Sequence, residues 1–149
     1  MKCIILIGNL ASGKSTVAKA LELPTVVIDK YRRATENEYQ AREMMVKEIH
    51  KYAHARQNFI YETTGANLVH NKAMRVIKTL GYEEIRVLLH VSQPESLRRC
   101  TARGTAAPFG KTHADSYLYI NERFINEWGH VFINSEKESI NEIVHKINE

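Results

Sequence analysis

Hydrophobic residues fall into short runs separated by longer amphipathic stretches. Cys3-Ile4-Ile5-Leu6-Ile7 is continuous, β-branched and closed by Gly8, the pattern of a strand buried on both faces in a parallel sheet. From Ser15 to Leu23 the apolar residues Val17, Ala18 and Leu21 recur at helical spacing, and Pro24 stops the segment. Thr25-Val26-Val27-Ile28 predicts a second strand ending at Asp29. The charged stretch from Glu36 to Arg56 keeps Met44, Met45, Ile49 and Tyr52 on one side, so it predicts a long helix with one wet face. Phe59-Ile60-Tyr61 predicts a third strand ending at Glu62, Val69 to Leu80 a helix closed by Gly81, and Ile85 to Val91 the longest strand.

Pro94 sits at the favoured opening position of a further helix, which carries Arg98 and Arg99 and runs into a Gly- and Pro-containing loop at Gly104 to Gly110. A helix near Ser116 to Glu127, a strand at His130 to Ile133 and a helix at Ile140 to Ile147 complete the pattern. Strands alternate with helices throughout. That alternation predicts an α/β layer architecture with a five-stranded, mainly parallel sheet and right-handed crossovers. Ligands are then expected at the edge formed by the carboxyl ends of the strands.

Composition sharpens this reading without changing it. The chain has 149 residues, 44% hydrophobic and 26% charged, a profile expected of one globular domain over residues 1–149 and incompatible with disorder or a fibrous repeat. Lys and Arg (21) exceed Asp and Glu (17), for a net charge of +4. This suits an anionic ligand and fits a long nucleic-acid track only weakly. The two cysteines, Cys3 and Cys100, lie far apart and outside any metal-ligand spacing. They read as free thiols of a reducing compartment, so a cytoplasmic location is expected. The first apolar run spans five residues, too few for a signal-peptide core or a membrane span, and no membrane partner is expected.

The chemistry is most legible at Gly8-Asn9-Leu10-Ala11-Ser12-Gly13-Lys14-Ser15-Thr16, a complete G-x-x-x-x-G-K-[ST] motif between a predicted strand and a predicted helix. The glycines let the backbone curl so that successive N–H groups face phosphate oxygens, and the helix start adds its positive dipole end. Lys14 is expected at the β- and γ-phosphates of ATP and Ser15 at Mg²⁺. Asp29, at the end of the second predicted strand, is placed to take a proton from a hydroxyl nucleophile. Arg32, three residues on, is placed to hold an anionic group of the acceptor. Glu62 ends the third strand, where it can reach the metal shell or an acceptor hydroxyl, with Thr63 beside it as a further acceptor-side candidate. Arg99 and Arg103 are four apart on one helical face, and both are expected to point at the triphosphate from a lid spanning about 98–115. His50 and His54 share a face but lack a third ligand nearby, so they read as a solvated pair.

Taken together, the P-loop, Asp-x-Tyr-Arg at residues 29–32, and the stretch from Pro94 through Leu97, Arg99 and Arg103 to Gly104-Thr105 and Pro108 resemble the kinase domain of phage-type polynucleotide 5′-hydroxyl kinases. More broadly they resemble the small P-loop kinases that include zeta toxins and gluconate and shikimate kinases. The resemblance covers about Ile4 to Pro108. It implies a P-loop three-layer sandwich with helices on both faces of a sheet ordered 2-3-1-4-5 and an arginine-bearing lid. It also implies that Lys14, Ser15, Asp29, Arg32 and Arg103 take the phosphate, metal, base, acceptor-phosphate and lid positions. The strand-three end departs from the Asp-Thr-Asn of the polynucleotide kinases, being Glu-Thr-Thr-Gly-Ala-Asn here.

The sequence thus leads to an ATP- and Mg²⁺-dependent kinase that moves a γ-phosphoryl group to a hydroxyl. 5′-Hydroxyl nucleic acid, nucleotide sugar, antibiotic and small metabolite all stay open as acceptor. A nucleotide-dependent switch or regulatory ATPase is the rival reading, and a lid with two arginines in the same chain favours the kinase because transfer requires water to be excluded.

Overall fold

The computed structural model describes residues 1–66, 68–104, 112–124, 129 and 131–149. Five strands, β1 (Lys2–Gly8), β2 (Thr25–Val26), β3 (Phe59–Thr63), β4 (Glu83–His90) and β5 (Val131–Asn134), form one sheet in the order β2-β3-β1-β4-β5, with every pairing parallel. This is the order expected above. The helices are α1 (Lys14–Leu21), α2 (Ile28–Ala34), α3 (Glu38–His54), α4 (Leu68–Thr79), α5 (Gln93–Arg103), α6 (His113–Phe124) and α7 (Ile140–Asn148).

The central strand explains the layering. Cys3, Ile5 and Ile7 of β1 face a core completed by Ala41, Met45 and Ile49 of α3 and Val69, Ala73 and Ile77 of α4. Ile4 and Leu6 face the opposite core, made with Val17 and Ala18 of α1 and Ile143 and Ile147 of α7. Successive side chains of a strand point to opposite faces, so a strand covered on both sides must be apolar at every position. β1 accordingly carries no polar side chain from Cys3 to Ile7.

Two boundaries differ from the sequence expectation. β2 stops at Val26, two residues short, because Val27 is the extended N-cap (φ −142°, ψ 129°) of α2. Ile28 and Tyr31, three apart, then bury themselves as one helical face. The apolar run from Val26 to Ile28 is therefore a strand end followed by a helix start, and Asp29 lies in the first turn of a helix. The predicted Glu36–Arg56 helix begins only at Glu38. Asn37 caps it, its side-chain oxygen accepting from the N–H groups of Tyr39 (2.9 Å) and Gln40 (3.2 Å). Glu48 of α3 accepts from the hydroxyls of Tyr31 and Tyr52, and so pins α2 against α3. The predicted loop residues from Thr105 to Gly110, with Lys111, the helix end at residues 125–127, Trp128 and His130 lie outside the described residues. No helix among the described residues is long and apolar enough to cross a membrane.

Candidate active site

Between β1 and α1 the chain makes the turn that the glycine spacing predicts. A Cβ at Gly8 would lie 2.3 Å from Ser12 Oγ and 3.0 Å from the Leu89 carbonyl oxygen, so the close approach of β4 requires glycine. Gly13 has φ +95°, a left-handed conformation that favours glycine. Ala11 adopts φ +54° without that freedom, so its conformation has to be held from outside.

The loop's carbonyls show how it is held. Lys14 Nζ donates to the carbonyls of Gly8 (2.8 Å) and Asn9 (3.1 Å). The buried Ser96 of α5 donates from Oγ to the Leu10 carbonyl (2.7 Å), and Arg99, one helical turn further on, donates from Nη1 to the Ala11 carbonyl (2.9 Å). Four consecutive carbonyls of the loop thus accept from side-chain donors. The loop is also tied to α6, where Asn9 Nδ2 donates to the Tyr117 carbonyl (2.8 Å) and His113 Nε2 lies 3.0 Å from Ser96 Oγ. Because Ser96 Oγ spends its proton on Leu10, it accepts from the His113 ring.

The N–H groups are arranged in the opposite sense. A helix start leaves its first N–H groups without intrahelical acceptors and carries a partial positive charge. Among the five helices whose N-cap is described, α3, α5 and α7 meet this need with Asn37, Ser92 and Ser139 caps and a first-turn glutamate each, and α2 has Asp29 in its first turn. α1 has neither a side-chain cap nor an acidic first-turn residue. Its exposed amides and uncompensated dipole are what a phosphate group requires.

α1 opens onto a cavity of about 540 Å³. Leu10 to Thr16 line it, together with Asp29, Arg32, Glu62, Thr63 and Arg103. Gly8 and Asn9, predicted as phosphate ligands, support the loop from below and do not line the cavity. Lys14 is pulled down to a pKa of about 8, chiefly because it is buried, although Glu62 and Asp29 pull it back up. At the carboxyl end of β3, Glu62 Oε1 accepts from Ser15 Oγ at 2.8 Å. A hydroxyl and a carboxylate side by side are the hard oxygen donors that Mg²⁺ prefers, so the two residues fit the metal the motif implies. Thr63 Oγ1 accepts from the Gly65 N–H (2.9 Å) and shapes the turn after β3.

Two of the predicted arginines, Arg32 and Arg99, have partners within the chain. Arg32 was matched to an acceptor anion, but its Nε and Nη2 hold Glu38 at 3.0 and 2.9 Å and its Nη1 holds Asp29 at 3.2 Å. Arg32 therefore fixes Asp29 from the side and holds the Glu38 carboxyl below its ordinary range. Arg99 and Arg103 were expected to point together at the triphosphate. Arg103 lines the cavity and has no hydrogen-bond or ion-pair partner among the described residues. Arg99 is instead committed to Ala11, to the Ser135 carbonyl (3.1 Å) and hydroxyl (3.3 Å), and to Glu95 (3.0 Å). The pair are four apart on the helix, but Arg103 is its last residue, followed by the Gly104 C-cap (φ +67°).

Glu38, Ser96 and Ser135 escaped sequence reading. Glu38 meets Arg32 because residues 28–34 form α2, a helix the sequence pattern does not predict. Ser96 is the one buried residue of α5, and nothing in the sequence of that helix marks it.

No protein-family model and no curated protein sequence matches the chain. Solved structures do. Shikimate kinase from Aquifex aeolicus is 18% identical with TM-score 0.62, covering 98% of this chain and 94% of its own. The tunicamycin resistance protein of Deinococcus radiodurans is 14% identical with TM-score 0.69, covering 98% and 92%. Deoxyadenosine kinase from M. mycoides is 15% identical with TM-score 0.57, covering 98% of each. With a parallel sheet ordered 2-3-1-4-5 and a phosphate-type loop after the central strand, the chain has the fold of the P-loop kinases.

Proposed function

We propose that the chain is an ATP- and Mg²⁺-dependent kinase that transfers the γ-phosphoryl group to a hydroxyl acceptor. The observation that carries this reading is the convergence of the uncapped α1, Lys14, the Ser15–Glu62 pair, Asp29 and Arg103 on one cavity. Likeness in fold to shikimate kinase and deoxyadenosine kinase, whose names specify small hydroxyl-bearing substrates, supports it.

In this reading the α1 amides and Lys14 neutralise the β- and γ-phosphates, and the ammonium leaves the Gly8 and Asn9 carbonyls to do so. Ser15 and Glu62 hold the Mg²⁺, which supplies charge neutralisation on the phosphoryl oxygens. Asp29, fixed by Arg32, takes the proton of the attacking hydroxyl. Arg103 swings over the transferring group, and Arg99 with Ser96 keeps the loop in shape. Positioning and electrostatics account for the catalysis, and no covalent enzyme intermediate is needed.

The acceptor class is a small hydroxyl compound, a nucleoside-like molecule or a 5′-hydroxyl polynucleotide. Incubation with γ-labelled ATP, Mg²⁺ and a panel of such acceptors tests the proposal. Label is expected on an acceptor hydroxyl. Label released only as inorganic phosphate, whichever acceptor is present, would support a regulatory ATPase instead.

A further inference from the structure

A second concavity, of about 450 Å³, lies between α3 and α4 and shares no residue with the P-loop cavity. It is lined by His50 of α3, by Lys72, Arg75, Val76 and Thr79 of α4, and by Leu80. Both helices start at the carboxyl edge of the sheet and run toward its amino edge, so the groove sits toward the end opposite Asp29 and Glu62.

Its charge is distinctive. Residues 49–58 and 68–79 contain Lys51, Arg56, Lys72, Arg75 and Lys78 and no Asp or Glu, so these two segments carry more positive charge than the whole chain's net +4. Elsewhere the arginines at 32, 42, 86, 98 and 99 each hold a carboxylate. In the groove, His50, Lys72 and Arg75 have no carboxylate within 4.0 Å among the described residues. Lys72 and Arg75 are three apart, hence neighbours on one helical face, where like charges repel each other.

Two fixed cations match the roughly −1.5 to −2 charge of a phosphate monoester near neutral pH. The planar fork of Arg75 suits bidentate phosphate contact, with Lys72 as a point charge beside it. The Thr79 hydroxyl and the His50 ring offer further donors, and Val76 and Leu80 offer apolar surface to an organic group. A single carboxylate would leave one cation unmatched.

We propose that this groove is a second anion site, separate from the P-loop cavity, which binds the phosphate group of an organic phosphate. A free small ester and the terminal phosphate of an oligonucleotide share that chemistry. The test saturates the P-loop cavity of ¹⁵N-labelled protein with a non-hydrolysable ATP analogue and Mg²⁺. Inorganic phosphate, a nucleoside monophosphate and a 5′-phosphorylated oligonucleotide are then titrated separately.

Saturable shifts are expected at the amides of residues 72–80 and at the His50 ring, and binding should weaken at least tenfold in Lys72→Gln/Arg75→Gln. Tighter binding of the monophosphate identifies a free metabolite as the source, and tighter binding of the oligonucleotide a polymer end. If the glutamine variant loses helicity, Lys72→Ala/Arg75→Ala, built from the strongest helix former, repeats the comparison. Absence of saturable shifts with all three probes, or equal affinity in the variant, overturns the proposal.

Discussion

Replacing Arg99 and Arg103 one at a time separates holding the P-loop from stabilising the transferring phosphoryl group. Arg99→Met keeps the aliphatic stem but removes the donors that reach Ala11, the Ser135 carbonyl and hydroxyl, and Glu95. Hydrogen bonds to a charged group contribute about 1.5–3 kcal/mol each. The Arg99 side chain is 21% exposed, water replaces part of what is lost, and Glu95 keeps Arg98. The net loss is therefore about 2–3 kcal/mol. At this chain length each kcal/mol moves Tm by about 2–4 °C, so Tm should fall by roughly 4–12 °C.

The same contact sustains the left-handed Ala11, whose conformation costs an alanine about 1–2 kcal/mol. A relaxed loop should raise the KM for ATP about tenfold, which corresponds to about 1.4 kcal/mol, with kcat within about threefold. Arg103→Met should behave in the opposite way. The exposed side chain, without a partner among the described residues, leaves Tm unchanged, while kcat falls by roughly 10³ or more. Thermal melts followed by circular dichroism give Tm, and steady-state ADP release gives KM and kcat. If Arg99→Met left Tm in place and cost 10³ in kcat, Arg99 would be touching the phosphates and the assignment of its guanidinium to the loop would be refuted.

Three further outcomes follow from the same geometry. Ser96→Ala leaves the Leu10 carbonyl and the His113 ring without their buried partner, and urea unfolding should show a loss of about 1–3 kcal/mol; an unchanged midpoint would mean that the hydroxyl does not hold the loop. Lys14 sits at a pKa of about 8 against about 10.5 when unfolded, so between those values the unfolded chain binds more protons and stability rises with pH. Phosphates restore the ammonium, and calorimetry in two buffers at about pH 9 should therefore detect proton uptake on ATP binding that Lys14→Met abolishes. Glu62→Ala removes the carboxylate beside Ser15 and should raise the Mg²⁺ requirement by about 10–100-fold, read from a metal titration of activity.

Much of the fold was legible because the sheet's chemistry is local. β1 is apolar at every position since both faces are covered, and the glycines of the P-loop are fixed by one close approach and one left-handed φ. Asp29 was found for the right neighbourhood but the wrong element, because an apolar triplet reads alike whether it fills a strand end or the buried face of a helix. Arg99 and Arg103 share a helical face by spacing alone. What separates them is Ser135, 36 residues away in the chain, together with the freedom of a side chain at a helix end. The Arg32–Glu38 contact depended in the same way on α2, a helix that the hydrophobic pattern did not reveal.

In the proposed reaction Asp29 activates a hydroxyl for attack on a phosphate held by α1 and Lys14. The measurement that tests it most directly is label transfer from γ-labelled ATP to an acceptor hydroxyl by the natural chain and by Asp29→Asn, with ATP affinity measured on both. Transfer should depend on the acceptor and fall by roughly 10²–10⁴ in the variant, while ATP affinity stays within about threefold. Equal transfer rates in the two proteins would contradict it.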